Sequence, residues 1–359
     1  MSTPTLLRAF RPICAVIACV LLAAASTGAQ GTVRDRLKSS LFKIAYETYV
    51  DGNWEIFAMN ADGSQSKNIT STPKVNEHYP LVSPDGAKMA FSVDTGEGSE
   101  NVRSLWVMDI DGRNRKKIAD HAREPFWGPG GKVIGFLPQE YERFSVTDYS
   151  TKGMSFYDVA SGKIAPHPNS VNLFHLYNPS FAPNGKWIVA TVHAGMGVSH
   201  GTLLIEANGT RIINLQIPGC RPSISPDGKH IAWGPGDHEL ATAPINLDSE
   251  TPAVGPRTVQ IVDKTNKIYH IDWSPDGKLL TFSRGPNSRG DASKVGTFQA
   301  AAEMVGAYAK DWNIFAVSAE RAGILDLNQA AEGEFAQLTT NGASNKEPAW
   351  FRPSRKAKE

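Results

Sequence analysis

The chain has 359 residues, with 37 Lys plus Arg against 36 Asp plus Glu, so it can bury a sizeable core and carries almost no net charge. That balance excludes a dedicated nucleic-acid binder, which needs a basic face to displace phosphate counterions. Gly (32) and Pro (23) are frequent and gather in turns, as an all-β chain with many reversals requires.

At the N-terminus Arg8 and Arg11 precede the apolar run ICAVIACVLLAAA (13–25) and the small-residue stretch STGAQ. This is the layout of a secretory signal peptide, with cleavage expected after Ala29, so residues 1–29 are assigned to a leader and 30–40 to a short linker. The apolar core is short for a membrane span. Lipidation at Cys19 fits poorly, because the apolar run continues past it. The expected location is the periplasm or outside the cell, with no transmembrane segment in the mature chain. Cys14 and Cys19 leave with the leader, so only Cys220 remains and the fold must close by strand pairing instead of cross-links.

From residue 41 the chain repeats. PLVSPDGAKMAFSV (80–93), PFWGPGGKVIGFL (125–137), PSFAPNGKWIVATV (179–192), PSISPDGKHIAWG (222–234) and IDWSPDGKLLTFS (271–283) each read as strand, turn, strand. In the turn Pro presets φ, Asp or Asn bonds its own backbone, and Gly accepts a positive φ. The turn prolines at 84, 129, 183, 226 and 275 lie 45, 54, 43 and 49 residues apart, the length of a four-stranded propeller blade. SLWVMDIDGRNRKKI (104–118) and MSFYDVASGKI (154–164) supply third and fourth strands. The Asp-Gly pairs at 62–63 and 111–112 lack the alternating carboxylates of a calcium loop and read as hairpin turns.

FKIAYET (42–48) and WEIFAMNADGSQSKNIT (54–70) form three strands of a blade without its first strand, and EPAWF (347–351) supplies that strand from the other end. The predicted fold is therefore an all-β, six-bladed β-propeller over 41–353, closed by its own termini so that no sheet edge stays open. Residues 285–311 interrupt blade five, with a short helix expected at 297–309. A seventh, degenerate blade there is the alternative. The RGD at 289–291 reads as chance, and 354–359 as a solvated basic tail.

The segments PLVSPDGAKMAF (80–91), LWVMDIDG (105–112), PSISPDGKHIAW (222–233) and DWSPDGKLLTFS (272–283) resemble the WD-like repeats of the TolB-like propeller family, over roughly residues 40–353. The resemblance implies the fold. For function it is broad, because this architecture hosts protein-binding modules, peptidase gatekeepers and polysaccharide lyases. The separate α/β domain that precedes the propeller in TolB has no counterpart, since about a dozen residues separate the expected cleavage point from the first strand. A prolyl-oligopeptidase-type reading needs an α/β-hydrolase domain carrying a G-x-S-x-G elbow; the one match to that pattern, GVSHG (197–201), falls inside the repeats, and no room for such a domain is expected outside them.

In a propeller the first strand of each blade lines the central channel, so six stretches are expected at its rim: NEHY (76–79), HARE (121–124), HLYN (175–178), GCR (219–221), KIYH (267–270) and NKE (345–347). The candidate ligand-binding residues are His78, Tyr79, Arg123, Glu124, His175, Tyr177, Asn178, Arg221, Tyr269, His270, Asp272, Lys346 and Glu347. Convergent polar groups around a concave axis fit a protein, peptide or glycan ligand, bound by a monomer without a cofactor. Two alternatives use the same rim. In one, His78, His121, His175 and His270 meet at a metal, although they share no ligand spacing. A polysaccharide-lyase-like enzyme would take Tyr79, Tyr177, Tyr269 or His270 as base and Arg123 or Arg221 to neutralise a uronate. His193, His200 and His238 are assigned structural places, and Cys220 is expected to be a small buried hydrophobe.

Overall fold

The computed structural model describes residues 31–96, 102–138, 151–286 and 310–354. The leader, the helix expected at 297–309, the RGD and the residues beyond 354 lie outside these. Among the described residues no helix is long and apolar enough to cross a membrane.

Six sheets form the blades. Blade one runs Asn76–Val82, Lys88–Thr95, Val102–Asp109 and Lys116–Asp120. Blades two and three start at Ala122–Trp127 and Leu176–Phe181, and repeat the antiparallel four-strand order. Blade four starts at Cys220–Ile224 and blade five at Asn266–Trp273. In blade six Ser344–Phe351, from the C-terminal end, pairs with Lys43–Val50 in the register Lys43↔Phe351, Ile44↔Trp350 and Ala45↔Ala349. The six-bladed ring and its closure by both ends of the chain match the expectation from sequence.

The recurrent turn explains its own composition. In blade one Ser83 Oγ donates to Asp85 Oδ1 at 2.6 Å and accepts from Lys88 N–H at 2.9 Å, while Gly86 N–H returns to Ser83 O at 2.8 Å. The same three bonds join Ser225, Asp227, Gly228 and His230, and again Ser274, Asp276, Gly277 and Leu279. Gly86, Gly228 and Gly277 have φ of 70°, 72° and 71°, a region that costs glycine little.

Apolar side chains of neighbouring sheets interlock face to face. Ala45 and Ile56 of blade six pack with Met89, Phe91 and Met108 of blade one, and Ala232, Leu240 and Ile261 of blade four pack with Ile268, Leu280 and Phe282 of blade five. Trp127 and Trp273, at equivalent places, each donate an indole N–H to the preceding blade, at Leu81 O (2.8 Å) and Ser223 O (3.1 Å).

Two features had no counterpart in the sequence reading. Gly323–Asp326, from the connection between the third and fourth strands of blade five, pairs in parallel with Val259–Val262 and so extends blade four outward. Within the stretch read as linker, Val33–Ser39 form a short helix opened by a Thr32/Asp35 capping box. Its Val33 and Leu37 are buried with Ala316, Ala336 and Leu338 of blade five.

Candidate functional site

Every first strand carries the same irregularity. In blade one His78 faces Ser92 but Leu81 faces Ala90, so three steps on one strand match two on its partner. The shift recurs between Arg123 and Phe126, Tyr177 and Ser180, Cys220 and Ser223, Tyr269 and Asp272, and Lys346 and Ala349. Each is a bulge that re-aims the extra residue. Those residues are Tyr79, Glu124, Asn178, Arg221, His270 and Glu347, with φ of 54°, 51°, 51°, 56°, 56° and 50°. Five precede a proline (Pro80, Pro125, Pro179, Pro222 and Pro348), which has no N–H to offer a broken ladder; His270 precedes Ile271.

The six residues converge on a cavity of about 280 Å³ on the ring axis, whose wall also includes Asp272, Ser180, Ser223, Trp127 and Trp350. The residue one place earlier points elsewhere. His78 is buried, with Nδ1 3.4 Å from Glu47 and Nε2 3.6 Å from Asp94. Tyr269 is 5% exposed and stacks on Trp312 with centroids 5.7 Å apart at 13°. Lys346 is buried with its ammonium 4.5 Å from the Trp54 ring centroid. Arg123 pairs with its neighbour Glu124. Tyr177 is half-buried and not in the cavity wall.

Of the thirteen candidates, the structure thus brings Tyr79, Glu124, Asn178, Arg221, His270, Asp272 and Glu347 to the cavity. His175 is half-buried, with Nδ1 3.2 Å from His193 O and 3.1 Å from Ala194 O, outside that wall. Among the four histidines considered for a metal, His270 alone lines the cavity, and no group of three metal-ligating side chains occurs among the described residues. His238 bonds the carbonyls of Asp263 and Asn266, a structural place.

Second-strand residues pin the bulges. Glu47 accepts Tyr79 N–H at 2.9 Å, and Thr191 Oγ1 accepts Arg221 N–H at 3.0 Å. Glu124 accepts Asn178 N–H, and Asp272 accepts Trp350 N–H at 2.7 Å across the blade five–six seam. Behind Tyr79, Asp94 holds Arg103 by two bonds of 2.7 and 2.6 Å, and that guanidinium lies 5.4 Å from the Tyr79 ring centroid. None of Glu47, Thr191, Asp94 or Arg103 was singled out from sequence. The signal that marks the ring is Pro-x-x-x-Pro, at 80–84, 125–129, 179–183 and 222–226: the residue before its first proline is the bulge.

Burial sets the protonation states. It pushes the Asp272 carboxyl up to about 7, although the Trp350 and Trp273 N–H groups favour its anion. It raises Glu347, with neighbouring Glu47 adding to the effect, and holds His270 well below its usual value, helped by Arg221 and Lys346. His270 Nε2 and Glu347 Oε1 lie 3.0 Å apart, and both shifts disfavour a charged pair there. Burial opposes ionisation of Glu47 too, but His78, Lys346 and the Tyr79 N–H outweigh it and keep the carboxylate charged. Burial raises both Tyr79 and Tyr269, so neither phenol is a base at neutral pH.

Closed ring, six bulged first strands and an axial cavity define a six-bladed β-propeller with a central funnel. No family model and no curated protein matches the chain. Among solved structures, its fold is that of the propeller in TolB from Acinetobacter baumannii (TM-score 0.58, 16% identity, covering 86% of this chain and 66% of that one). It is also similar to Kuenenia stuttgartiensis hydrazine synthase (TM-score 0.54, 11% identity, 88% and 47% covered) and to a chain of a nidogen/laminin complex (TM-score 0.55, 10% identity, 87% and 99% covered). The chain thus spans about two thirds of the TolB chain and about half of the hydrazine synthase chain.

Proposed function

We propose that this protein is an exported, monomeric binding or scaffold module that takes a protein, peptide or glycan segment into the funnel where the six bulges converge. One observation carries the reading. Six non-glycine residues hold a positive φ at equivalent places, a conformation that costs on the order of 1–3 kcal/mol each, and the ring they form faces one cavity. Closing the propeller does not need six different side chains there; recognising a ligand does. The types present (two carboxylates, an arginine, a histidine, a tyrosine and an amide) make a mixed polar surface above apolar walls, the usual make-up of a specific site.

The lyase-like alternative is less well supported by geometry. Tyr269 is shielded behind Arg221 and stacked on Trp312, and burial keeps its phenol protonated. His270 is engaged with Glu347.

The test is site-specific photocrosslinking in a periplasmic extract. A photoreactive residue at Asn178, inside the funnel, is expected to give discrete adducts that the same residue at exposed Ile324, on the outer edge of blade four, does not give. Ser223→Trp, which fills the cavity, should abolish them. Equal labelling at both positions, or labelling at 178 that survives Ser223→Trp, would refute the reading.

A further inference from the structure

The cavity wall contains a cation that no carboxylate of the described residues holds directly, although Glu347 acts on it at longer range. Arg221 lies at the bulge of blade four and lines the cavity, with its guanidinium carbon 4.4 Å from the centroid of the Tyr269 ring. Its main-chain N–H is bonded to Thr191, so the backbone is fixed. Its head group is not. Among the described residues no carboxylate lies within ion-pair distance of it, Nη1 has only Cys220 Sγ at 3.6 Å, and Nε is buried without a partner. Elsewhere the fold pairs its enclosed arginines: Arg103 with Asp94, Arg123 with Glu124, Arg284 with Asp263.

The acids facing the funnel from neighbouring blades are already taken. Glu124 is held by Arg123 and the Asn178 N–H, Glu347 by His270, and Asp272 by the Trp350 N–H. Buried Lys346 adds a second positive charge, and it acts with Arg221 to disfavour protonation of His270. Tyr269, itself stacked on Trp312, fixes the plane of the guanidinium. A planar, half-buried fork held against a ring presents paired N–H donors, and the group that matches them is planar and anionic. Three carboxyl groups on the same wall weigh against a doubly charged phosphate, and about 280 Å³ admits only a small group or the tip of a larger ligand.

We infer that Arg221 anchors the ligand of the funnel by binding a carboxylate, carried either by a small free organic acid or by an acidic side chain of a peptide. The inference rests on the binding reading above and specifies its chemistry.

Titration calorimetry on the mature chain tests it with matched probes: glutarate against its diamide, and acetyl-Ala-Glu-Ala-amide against acetyl-Ala-Gln-Ala-amide. At least one acid should bind about tenfold or more tightly than its amide, and which pair discriminates identifies the source of the carboxylate. Arg221→Gln should abolish the discrimination and Arg221→Lys retain part of it, with melting curves confirming the fold. The wild-type comparison needs no variant. Acids and amides that bind alike, including no binding at millimolar concentration, would overturn the inference, as would discrimination that survives Arg221→Gln. If adducts at residue 178 persist while the acids show no preference, the funnel still binds a partner and only the carboxylate assignment falls.

Discussion

Asp272 joins the wall of the funnel to the seam between blades five and six, and its charge should destabilise the ring in a pH-dependent way. Its folded pKa of about 7 lies above the ordinary carboxyl value of 3.8, so the folded state keeps the proton between those values while the unfolded state releases it. Stability therefore falls as pH rises through that window, and the full penalty is present above pH 7. Three units correspond to a ceiling of about 4 kcal/mol. Asp272 is half-buried and borders a cavity open to water, so screening brings the expected value nearer about 2 kcal/mol. Asp272→Asn removes the charge and keeps an oxygen for the Trp350 N–H. With an unfolding entropy of roughly 2.1 cal/mol/K per residue over roughly 330 residues, 2 kcal/mol is about 3 °C. Calorimetric melting at pH 3.5, below both values, and at pH 7.5 should show the variant melting about 3 °C above the wild type at the higher pH and nearly level with it at the lower. An equal difference at both pH values, or a variant less stable at pH 7.5, would refute the reasoning.

Other substitutions probe the supporting structure. Arg103→Met leaves Asp94 buried beside His78 without its bidentate partner, and urea unfolding should show a loss of about 3–5 kcal/mol that Asp94→Asn in the same chain partly restores. Gly86→Ala and Gly228→Ala impose the same unfavourable φ, but a Cβ at 86 meets the Arg352 carbonyl while one at 228 has nothing within 4 Å. Their melting temperatures should separate, with about 1 kcal/mol lost at 228 and clearly more at 86. Removing the strand Ser344–Phe351 exposes the edge of Lys43–Val50, and size-exclusion chromatography should show aggregates where the full chain elutes as one species.

Much of the fold was legible because it is carried by local chemistry. Ser, Pro, Asp and Gly each have a distinct bond or angle to supply in the turn, so the motif could be read as punctuation and counted. EPAWF could be placed because a blade lacking its first strand has one vacancy to fill. The parallel strand Gly323–Asp326 was not legible, since four residues with no strong alternation pair with a segment some sixty positions away. The helix Val33–Ser39 did carry a signal, the Thr32-x-x-Asp35 box, but seven residues ahead of a repeat read as linker.

The site shows a sharper boundary between pattern and structure. Sequence placed six short stretches at the rim, and each does reach it, yet two adjacent polar residues in every stretch compete for the funnel. Alternation along a regular strand separates such neighbours onto opposite faces, but it cannot say which face is the funnel side once an extra residue has been inserted. The bulge decides it: Tyr79 and not His78, Glu124 and not Arg123, His270 and not Tyr269. The proline that follows five of the six bulges has a cost as well as a use, because a pre-proline residue is pushed toward extended backbone and these residues hold φ near +50° instead. Bonds from Glu47, Glu124 and Thr191 to the bulge N–H groups of the next blade offset that strain. The ring is thus held by its neighbours and not by its own propensity, and one of its own side chains, Glu124, is among those supports.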